Sequence, residues 1–541
     1  MAMGKERLKD LNWVVGAFVV AIALSFILAM TTKHGTGTDA SGLLTGASPS
    51  SLVGVAPGTI DQAAVDSAKV AEPFATQLAT LVNQNRLGIN FTWTLVAGFL
   101  VMFMQLGFAL VETGFCRRKN ALHVMAMNFS VYFIGMFGYF LLGFAFQFGG
   151  VGNVGVGNLG GLSSLNNWLS IGGWHMIGWT GFGLHKQYDV GVAVMFLFQM
   201  VFMDTTATIP TGSMAERWKW SAFVIYGLFV STIIYPIYGM WVWGGGWLSQ
   251  MGVKWGLGQG YLDFAGSGVV HAVGGWTALA GAIVLGARIG KYEKDGSSNS
   301  IPGHNIIMAL TGVLILALGW FGFNPGSTLG AAGNGNLRIG MVSVTTMLAS
   351  SSGAIVSMLY MWWRTGKPDA GMTANGFLGG LVAITAPSGF VSPLNAVIIG
   401  AAAGLIIPLA VNFVDTVLHV DDPVGAISVH GFGGLWGQLS VGLFADGTMN
   451  YGGLSVKGLL YGDSSQLAAQ AIGAVTAFVW AFGVAFLFFK ALDKLMGIRV
   501  PAADEIAGLD YAEMGVPGYW DGDEPIRGAW PVPGMASGAA D

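Results

Sequence analysis

The chain has 541 residues, of which 53% are hydrophobic and only 10% are charged, and its mean hydropathy is +0.62. Soluble domains carry about 25% charged residues, so this composition excludes an ordinary soluble protein and predicts an all-α polytopic membrane protein. The single cysteine, Cys116, excludes an intrachain disulfide framework and a cysteine-based metal cluster. The formal net charge of −4 indicates no particular partner, and no nucleic acid is expected.

Residues 1–30 form an N-terminal hydrophobic segment with a basic start and an uncharged run over 11–30. The run is longer than a usual signal-peptide core and no clear cleavage site follows it, so a signal peptide and a spanning anchor both stay open. Residues 31–88 are rich in Gly, Ser, Thr and Ala and are interpreted as an extracytoplasmic linker. Part of this linker, 61–86, has the composition of a short surface helix.

A membrane domain is predicted over 89–490, followed by a C-terminal tail over 491–541. The insert 149–188 is the largest loop of this domain. Its apolar segments are eleven in number, and we place them near 90–111, 121–148, 189–210, 218–243, 264–287, 304–324, 338–363, 371–389, 393–413, 425–445 and 466–490.

The distribution of basic residues orients this layout. If the first core helix starts outside the cell, most of the 24 lysines and arginines fall on the inner side. Because inner loops carry an excess of Lys and Arg, the bias predicts a core with its N-terminus outside and its C-terminus in the cytosol.

One element of the sequence occurs twice. Asp263-Phe-Ala-Gly-Ser-Gly-Val-Val-His271 opens the fifth core helix, and Asp422-Pro-Val-Gly-Ala-Ile-Ser-Val-His430 opens the tenth with the same spacing. Both continue as Val-His-x-x-Gly-Gly. A separation of five helices gives the two halves opposite orientations, so we predict an 11-helix bundle with a five-plus-five inverted repeat. A lone histidine in a helix bundle is more often a satisfied buried residue than a functional one, but the duplication favours a function.

Several motifs resemble the ammonium transporter (Amt/Mep/Rh) family, roughly over 88–520. They are the two Asp–His elements and three further stretches: Gly319-Trp320-Phe-Gly-Phe323-Asn-Pro-Gly-Ser327, Trp243-Gly-Gly-Gly and Ala215-Glu216-Arg217. The resemblance implies a multi-pass protein of the inner (plasma) membrane that carries ammonium or ammonia. It also implies a lipid-embedded homotrimer with one pore per subunit, without enzymatic activity, catalytic residue, metal or cofactor.

By the same resemblance, Trp243, Phe198 and Ser327 form an outer site that recruits ammonium. Aromatic faces attract cations, and a hydroxyl oxygen favours a hydrogen-bond donor such as ammonium over a bare metal ion. Aromatic residues at helical spacing are otherwise most often packing residues. Phe202 and Phe323 resemble the family's stacked phenyl gate, which excludes hydrated ions.

The resemblance assigns the inner path to four side chains. His271 and His430 are expected to meet in the pore centre and to pass a proton, while Trp320 and Tyr235 match other pore-lining positions. Asp263 is expected to shape the outer site and support deprotonation, a role compatible with a plain helix cap, and Asp422 is the equivalent cap. The other six histidines are expected near loops or helix ends, in contact with solvent.

The sequence departs from the family at three positions. Glu112 stands where well-known bacterial members have an aromatic residue, and it either changes proton handling or pairs with a neighbour. Gly425 replaces an acidic residue, and Met514 replaces a histidine in a tail that resembles the family's regulatory tail. Such tails couple the subunits and contact PII signalling proteins. We expect the tail to dock through an apolar set, namely Ile498, Val500, Ile506, Leu509 and Tyr511.

Three alternatives stay open. The first is a Rhesus-type channel for ammonia or carbon dioxide, against which the match at Trp243 and Ser327 argues. The second is an ammonium sensor that signals through a partner. The third is a membrane redox protein with His271 and His430 as haem ligands, although bis-haem bundles usually need four such ligands.

Overall fold

The computed structural model describes residues 2–32, 67, 70–154, 158–160, 162–187, 189–333, 338–448 and 455–519. An N-terminal helix, α1 (Ala2–Thr31), precedes the core. The first three core helices are α2 (Pro73–Phe115), α3 (Ala121–Gly138, continued through a π-helical turn at Tyr139–Gly143 and Phe144–Phe148) and α4 (Val190–Ser213). A hairpin, β1 (Trp168–Ile171) with β2 (Trp174–Gly178), lies between α3 and α4.

The remaining elements follow the predicted order. They are α5 (Trp220–Phe229, a π-helical turn at Val230–Ile234, and Tyr235–Trp243), a short α6 (Trp247–Trp255), α7 (a π-helical turn at Ser267–Ala272, then Val273–Leu285), α8 (Ile306–Phe323), α9 (Ile339–Thr365), α10 (Ala370–Thr385), α11 (Pro393–Thr416), α12 (a π-helical turn at Ile427–Phe432, then Gly433–Phe444), α13 (Ser464–Met496) and α14 (Ala502–Ala507). The eleven predicted core helices are therefore α2 to α5 and α7 to α13. Ten helices of the described chain, α1 included, are long and apolar enough to span a membrane, and α10 is a shorter apolar helix.

Two details differ from the sequence-based expectation. The first core helix begins at Pro73, so the described part of the predicted surface helix over 61–86 is continuous with α2 rather than separate. The insert 149–188 is not only loop, because it holds the β1–β2 hairpin. We call the side of the bundle that carries this hairpin the hairpin face. The opposite side, which carries Arg117, Glu216, Arg288 and the C-terminal tail, is the tail face.

Local chemistry explains where several helices begin. The first four backbone N–H groups of a helix lack partners within it, and a preceding Asp, Asn or Ser side chain supplies one. The side chains that do so here are Asp189 for α4, Asn305 for α8, Asp369 for α10, Ser392 for α11 and Asp463 for α13.

The packing of the helices reflects the repeat. Helix α2 packs against α8 and α7 against α12, which pairs the first and fifth helices of one half with those of the other. Within the halves, α2 packs on α4 as α8 does on α10, and α4 on α7 as α10 does on α12. Helix α13 lies outside the repeat and packs on both α7 and α12.

Glycines allow these helices to approach closely. A Cβ atom added to Gly404 of α11 would lie 2.3 Å from the carbonyl oxygen of Gly353 in α9, and one on Gly312 of α8 would lie 2.6 Å from the carbonyl oxygen of Gly107 in α2. Any side chain at these points would push the helices apart. The high glycine content is thus a packing requirement in a bundle where the hydrophobic effect does not hold the helices together.

The helix α1 also packs against the core. Asp10 forms an ion pair of 2.6 Å with Lys219 at the tail face. Nearer the hairpin face, the Ser25 hydroxyl donates to the carbonyl oxygen of Leu141 at 2.7 Å, within the π-helical turn of α3. A π-helical turn breaks the regular backbone hydrogen-bond pattern, and in a membrane the displaced groups need partners inside the protein.

Candidate functional site

The two Asp–His elements adopt matching backbone turns. The Asp263 carboxylate accepts hydrogen bonds from the backbone N–H groups of Gly266, Gly268 and Val269 at 2.8–2.9 Å. Asp422 accepts from Gly425 and Ile427 at 3.1 and 2.7 Å. Both aspartates therefore cap the π-helical turn that follows them.

A glycine stands three residues after each aspartate, in left-handed backbone. The φ angle is 117° at Gly266 and 80° at Gly425. A residue with a Cβ is strained in this region, which gives a physical reason for glycine at position 425.

His271 and His430 lie in the two π-helical turns and face each other. Their Nδ1 atoms are 3.1 Å apart, and their rings stack with centroids 5.2 Å apart and an angle of 25° between the planes. His271 is fully buried, whereas 5% of His430 is exposed. One ring must donate and the other accept in this contact, so the pair holds complementary protonation states.

The Gly-Gly pairs that follow the histidines explain how the two turns come so close. A Cβ atom on Gly275 would lie 2.1 Å from the backbone nitrogen of Gly431, and one on Gly434 would lie 2.5 Å from the carbonyl oxygen of Ser267. Each pair thus admits the backbone of the other half. The repeated Val-His-x-x-Gly-Gly motif therefore supplies the glycines at which the two halves contact each other.

A column of aromatic rings extends from the histidines toward the hairpin face. The ring centroids of Phe323 and His271 are 5.3 Å apart. Phe202 stacks on Phe323, with ring centroids 4.1 Å apart and an angle of 26° between the planes. Trp320 stacks on His271 at 5.2 Å, and its indole N–H donates to the Thr385 hydroxyl at 3.0 Å. All these rings are buried, so the column is apolar except at the histidines.

Beyond Phe202, the column meets the buried Phe198 and two half-buried side chains, Trp243 and Ser327. Phe198 lies 4.6 Å from Phe202, and Trp243 meets Phe202 edge-on at 6.1 Å. The Trp243 indole N–H donates to the carbonyl oxygen of Asp263 at 2.7 Å. Asp263 thus fixes the Trp243 ring with its backbone and the α7 turn with its side chain. The Ser327 hydroxyl donates to the Phe323 carbonyl at 2.7 Å, which leaves its oxygen free to accept.

Tyr235 is not part of this column. It is fully buried and packs edge-on against Tyr139, with centroids 6.2 Å apart. Its ring therefore contacts α3. The resemblance counted Tyr235 among the pore-lining residues, and its described ring contact gives that assignment no support.

On the tail-face side of His430 lies a small cavity whose lining includes polar side chains. Phe108 lies 6.1 Å from the His430 ring, and both line a cavity of about 20 Å³ together with Glu112 and Asn375. Glu112 is buried and hydrogen-bonded to Asn128 and Thr211. Phe108, Asn128 and Thr211 were not predicted from the sequence as neighbours of His430 or Glu112. A signal was available for Asn128, because polar residues inside apolar segments are costly and tend to have a role.

Buried charges join the loops of the tail face. The Arg288 guanidinium bonds both oxygens of Asp421 at 2.8 and 2.9 Å and lies 3.1 Å from Glu216, which also pairs with Arg117. Burial alone would raise the pKa of Asp421, but the positive charge of Arg217 and the hydrogen bonds from Arg288 hold it well below its usual value. Of these residues, Glu216 and Arg217 belong to the Ala215-Glu216-Arg217 motif, to which the sequence alone gave no structural role.

The C-terminal tail docks on the helix starts of the tail face. Asp510 accepts hydrogen bonds from the backbone N–H groups of Leu122 and His123 at 3.1 and 2.9 Å, at the start of α3. Glu513 accepts from the N–H of Trp220 at 2.9 Å, at the start of α5. Carboxylates are stabilising at helix N-termini, so the tail acts as a pair of caps for two membrane helices.

Of the apolar set expected to dock, three members are buried, namely Ile498, Val500 and Leu509, and two are exposed, namely Ile506 and Tyr511. The backbone N–H of Lys219 donates to the Ile498 carbonyl at 2.9 Å, so the tail also pairs with the α4–α5 loop. His123 corrects another expectation. It is fully buried at this junction rather than solvated, and it meets Trp220 edge-on at 5.7 Å.

Comparison with known proteins gives consistent matches. The model of the Ammonium Transporter Family matches residues 92–519. The chain is 46% identical over 445 residues to ammonium transporter Amt2 of Archaeoglobus fulgidus, covering 81% of this chain and 90% of that protein. It is 36% identical over 441 residues to ammonium transporter Amt1 of Haloferax mediterranei, covering 80% of this chain and 79% of that one.

The chain belongs to the ammonium transporter family. Among solved structures, this family member matches one described as Sensor Amt Protein with a TM-score of 0.69 and 37% identity, covering 80% of this chain and 99% of that one. It also matches Mep2 of Candida albicans with a TM-score of 0.67 and 28% identity, covering 83% and 94%. The family and the membrane-helix fold expected from the motifs are confirmed. The curated relatives are named as transporters, which points to a non-enzymatic protein.

Proposed function

We propose that this family member recruits ammonium at the hairpin face, removes a proton from it and conducts ammonia through the histidine pair to the tail face. The observation that carries the proposal is the contact of 3.1 Å between His271 and His430, which lies directly beyond the Phe202–Phe323 stack. The apolar Phe202–Phe323 stack admits neutral ammonia but not a cation. The histidine pair next to it can carry the proton separately.

Recruitment is assigned to Trp243, Phe198 and Ser327. The aromatic faces attract a small cation, by up to about 2 kcal/mol when it is partly desolvated. The free acceptor side of the Ser327 oxygen suits a hydrogen-bond donor. Asp263 acts as a positioning residue, since its carboxylate oxygens already accept from three backbone N–H groups and its carbonyl holds Trp243.

Phe202 and Phe323 are assigned as the gate. A stripped cation between two apolar rings loses its hydration without replacement, at a cost of many kcal/mol. Ammonium avoids this cost by giving up a proton, and potassium has no such option. The proton then passes through His271 and His430, while Trp320 fixes the plane of the His271 ring.

We further propose that the tail face is cytosolic, in the inner (plasma) membrane. The excess of Lys and Arg in its loops supports this orientation. In the lipid bilayer the chain assembles as a homotrimer with one path per subunit, and the docked tail offers a surface for a PII signalling protein. Helix α1 remains part of the protein, supported by its ion pair and hydrogen bond to the core.

The test is current recording on proteoliposomes that contain the purified full-length protein. An ammonium gradient should evoke a current, or a luminal pH change if transport is electroneutral, and an equal potassium gradient should evoke neither. An absence of any ammonium response, or an equal response to potassium, would contradict the proposal.

A second candidate is an ammonium sensor that acts through a partner. It is favoured by the similarity to the structure described as Sensor Amt Protein. A sensor would bind ammonium at the outer site but give little flux in the proteoliposome assay. A Rhesus-type gas channel would instead pass ammonia or carbon dioxide without depending on Trp243.

A further inference from the structure

Glu112 is a buried carboxyl in a membrane helix, and neither the outer site nor the histidine pair accounts for it. Its side chain lies on α2, within the apolar bundle, and 2% of the residue is exposed. An ionisable group inside a membrane domain is costly and indicates a function unless a structural partner explains it. The described contacts of Glu112 contain no cationic partner.

The neighbours of Glu112 all offer donors. Asn128 Nδ2 donates to Glu112 Oε2 at 2.6 Å. The Thr211 hydroxyl oxygen lies 3.0 and 2.8 Å from Glu112 Oε1 and Oε2, so its single proton can be donated to either, with the Thr208 carbonyl as a further acceptor. The orientation of Asn128 is fixed from the other side, because its Oδ1 accepts from the Thr208 hydroxyl at 2.8 Å. Burial favours a neutral carboxyl, whereas these donors stabilise the anion. The surroundings therefore allow Glu112 both to hold a proton and to release it.

The position of Glu112 connects it with the conduction path. Glu112, His430 and Phe108 line one cavity of about 20 Å³, which has room for about one water molecule. His430 is the member of the histidine pair that retains some exposure, whereas His271 has none. Gly212 of α4 makes room for the carboxyl, because a Cβ atom at position 212 would lie only 3.0 Å from Glu112 Cδ.

We propose that Glu112 is the proton acceptor on the tail-face side of the histidine pair, a further functional residue that rests on the proposed transport function. The N–H bond of protonated His430 breaks and its electron pair stays on the ring nitrogen. The released proton binds the water in the cavity, and this water gives one of its own protons to the Glu112 carboxylate. The carboxyl then loses that proton to water at the tail face.

Other titratable groups surround this step. They are His430 on α12, Asp422 in the turn before α12, whose carboxylate accepts from backbone N–H groups, and Tyr226 on α5. Cys116 follows Glu112 at the end of α2. Of these groups, His430 lines the same cavity as Glu112. A substitution at position 112 is therefore expected to affect proton transfer from His430.

The test compares Glu112→Gln with the wild-type chain in proteoliposomes. Gln has the same shape and keeps an acceptor oxygen for Asn128 and Thr211, but it cannot carry the proton. We expect the ammonium-evoked current to fall by about tenfold or more, while ammonia entry, measured with a luminal pH dye, persists. Glu112→Asp, which retains a carboxyl, should recover part of the current. The control is Asp204→Asn, which removes another buried carboxyl that is not part of this cavity wall.

Two results would overturn the proposal. Current of E112Q within about twofold of wild type would make Glu112 a structural partner of Asn128. Loss of current and of ammonia entry together would mean that the residue only holds the path open. If E112Q does not elute from a gel-filtration column as the wild type does, the currents of Glu112→Asp and Glu112→Asn are compared instead. This pair again sets an acid against its amide. Failure of the wild type itself to respond to ammonium would instead count against the proposed function.

Discussion

The Nδ1 atoms of His271 and His430 lie 3.1 Å apart, although 159 residues separate the two histidines along the chain. Each follows an aspartate that caps a π-helical turn through a left-handed glycine. The inverted repeat therefore forms the same Asp-capped turn twice and brings the histidines of both turns into contact. The contact at the centre takes one ring from each half, so neither half alone could form the proposed proton path.

Replacement of either histidine by Ala should abolish the ammonium-evoked current, although some ammonia can still leak through. Because the relay needs both rings, H271A/H430A should be about as impaired as each single variant, a strongly non-additive result. Currents of the three variants in proteoliposomes provide the measurement. Near-wild-type current in either single variant would assign these histidines a structural role only.

Widening of the phenyl gate should weaken selectivity against potassium. Phe202→Ala removes one of two stacked rings and leaves space that water can enter, so hydrated cations should leak. A core Phe→Ala change also costs about 3–5 kcal/mol of stability. Phe129→Ala is the matched control, because Phe129 is 70% exposed on the outside of the bundle. Potassium flux that stays at the wild-type level in F202A would argue against the gate.

The docked tail should loosen when its helix-capping carboxylate is removed. Asp510→Ala leaves two backbone N–H groups at the start of α3 without their acceptor, at a cost of about 1 kcal/mol. Hydrogen exchange across Ala502–Ala507 and the following turn should become several-fold faster. Tyr511→Ala, at an exposed neighbour, should leave the exchange unchanged. If deletion of the tail changes neither flux nor binding of a PII protein, the tail is not regulatory.

Loss of the buried acid in the tail-face cluster should destabilise the protein. Asp421→Asn removes the carboxylate that pairs with Arg288 and Arg217, although Glu216 still lies 3.1 Å from Arg288. Removing one member of a buried pair costs about 3–5 kcal/mol. The midpoint of thermal unfolding in detergent should fall, whereas Asp295→Asn, at an exposed loop position, should not change it.

The same pair predicts a pH dependence. The pKa of Asp421 is lower in the folded protein than in the unfolded chain, where it is about 3.9. Its contribution to stability is therefore complete at neutral pH and is lost as the pH falls below that value. The stability difference between the wild type and D421N should stay constant from neutral pH down to about pH 5 and shrink only below it. A difference that disappears near neutral pH would contradict this assignment.

The membrane helices, their order and the duplicated Asp–His spacing could all be predicted from the amino-acid sequence. These follow from local properties, since a bilayer requires about 20 apolar residues per span and a repeat is visible in one dimension. The motif Val-His-x-x-Gly-Gly also indicated a close contact, because only a missing side chain admits another backbone. Gly425 could be recognised as a departure from the family, but its left-handed backbone could not.

Which distant groups meet could not be predicted from the sequence, because these contacts form only when the helices pack. His123 begins a helix and was expected in solvent, yet the tail folds over that helix start and buries it. Glu112 acquires its donors from Asn128 and Thr211, on α3 and α4, and its cavity is also lined by residues of α8, α10 and α12. The resemblance predicts Tyr235 as a pore-lining residue, and only the structure shows that its ring lies edge-on to Tyr139 of α3. Burial, hydrogen bonding and cavity shape depend on several chain segments at once, and no local pattern of residues specifies them.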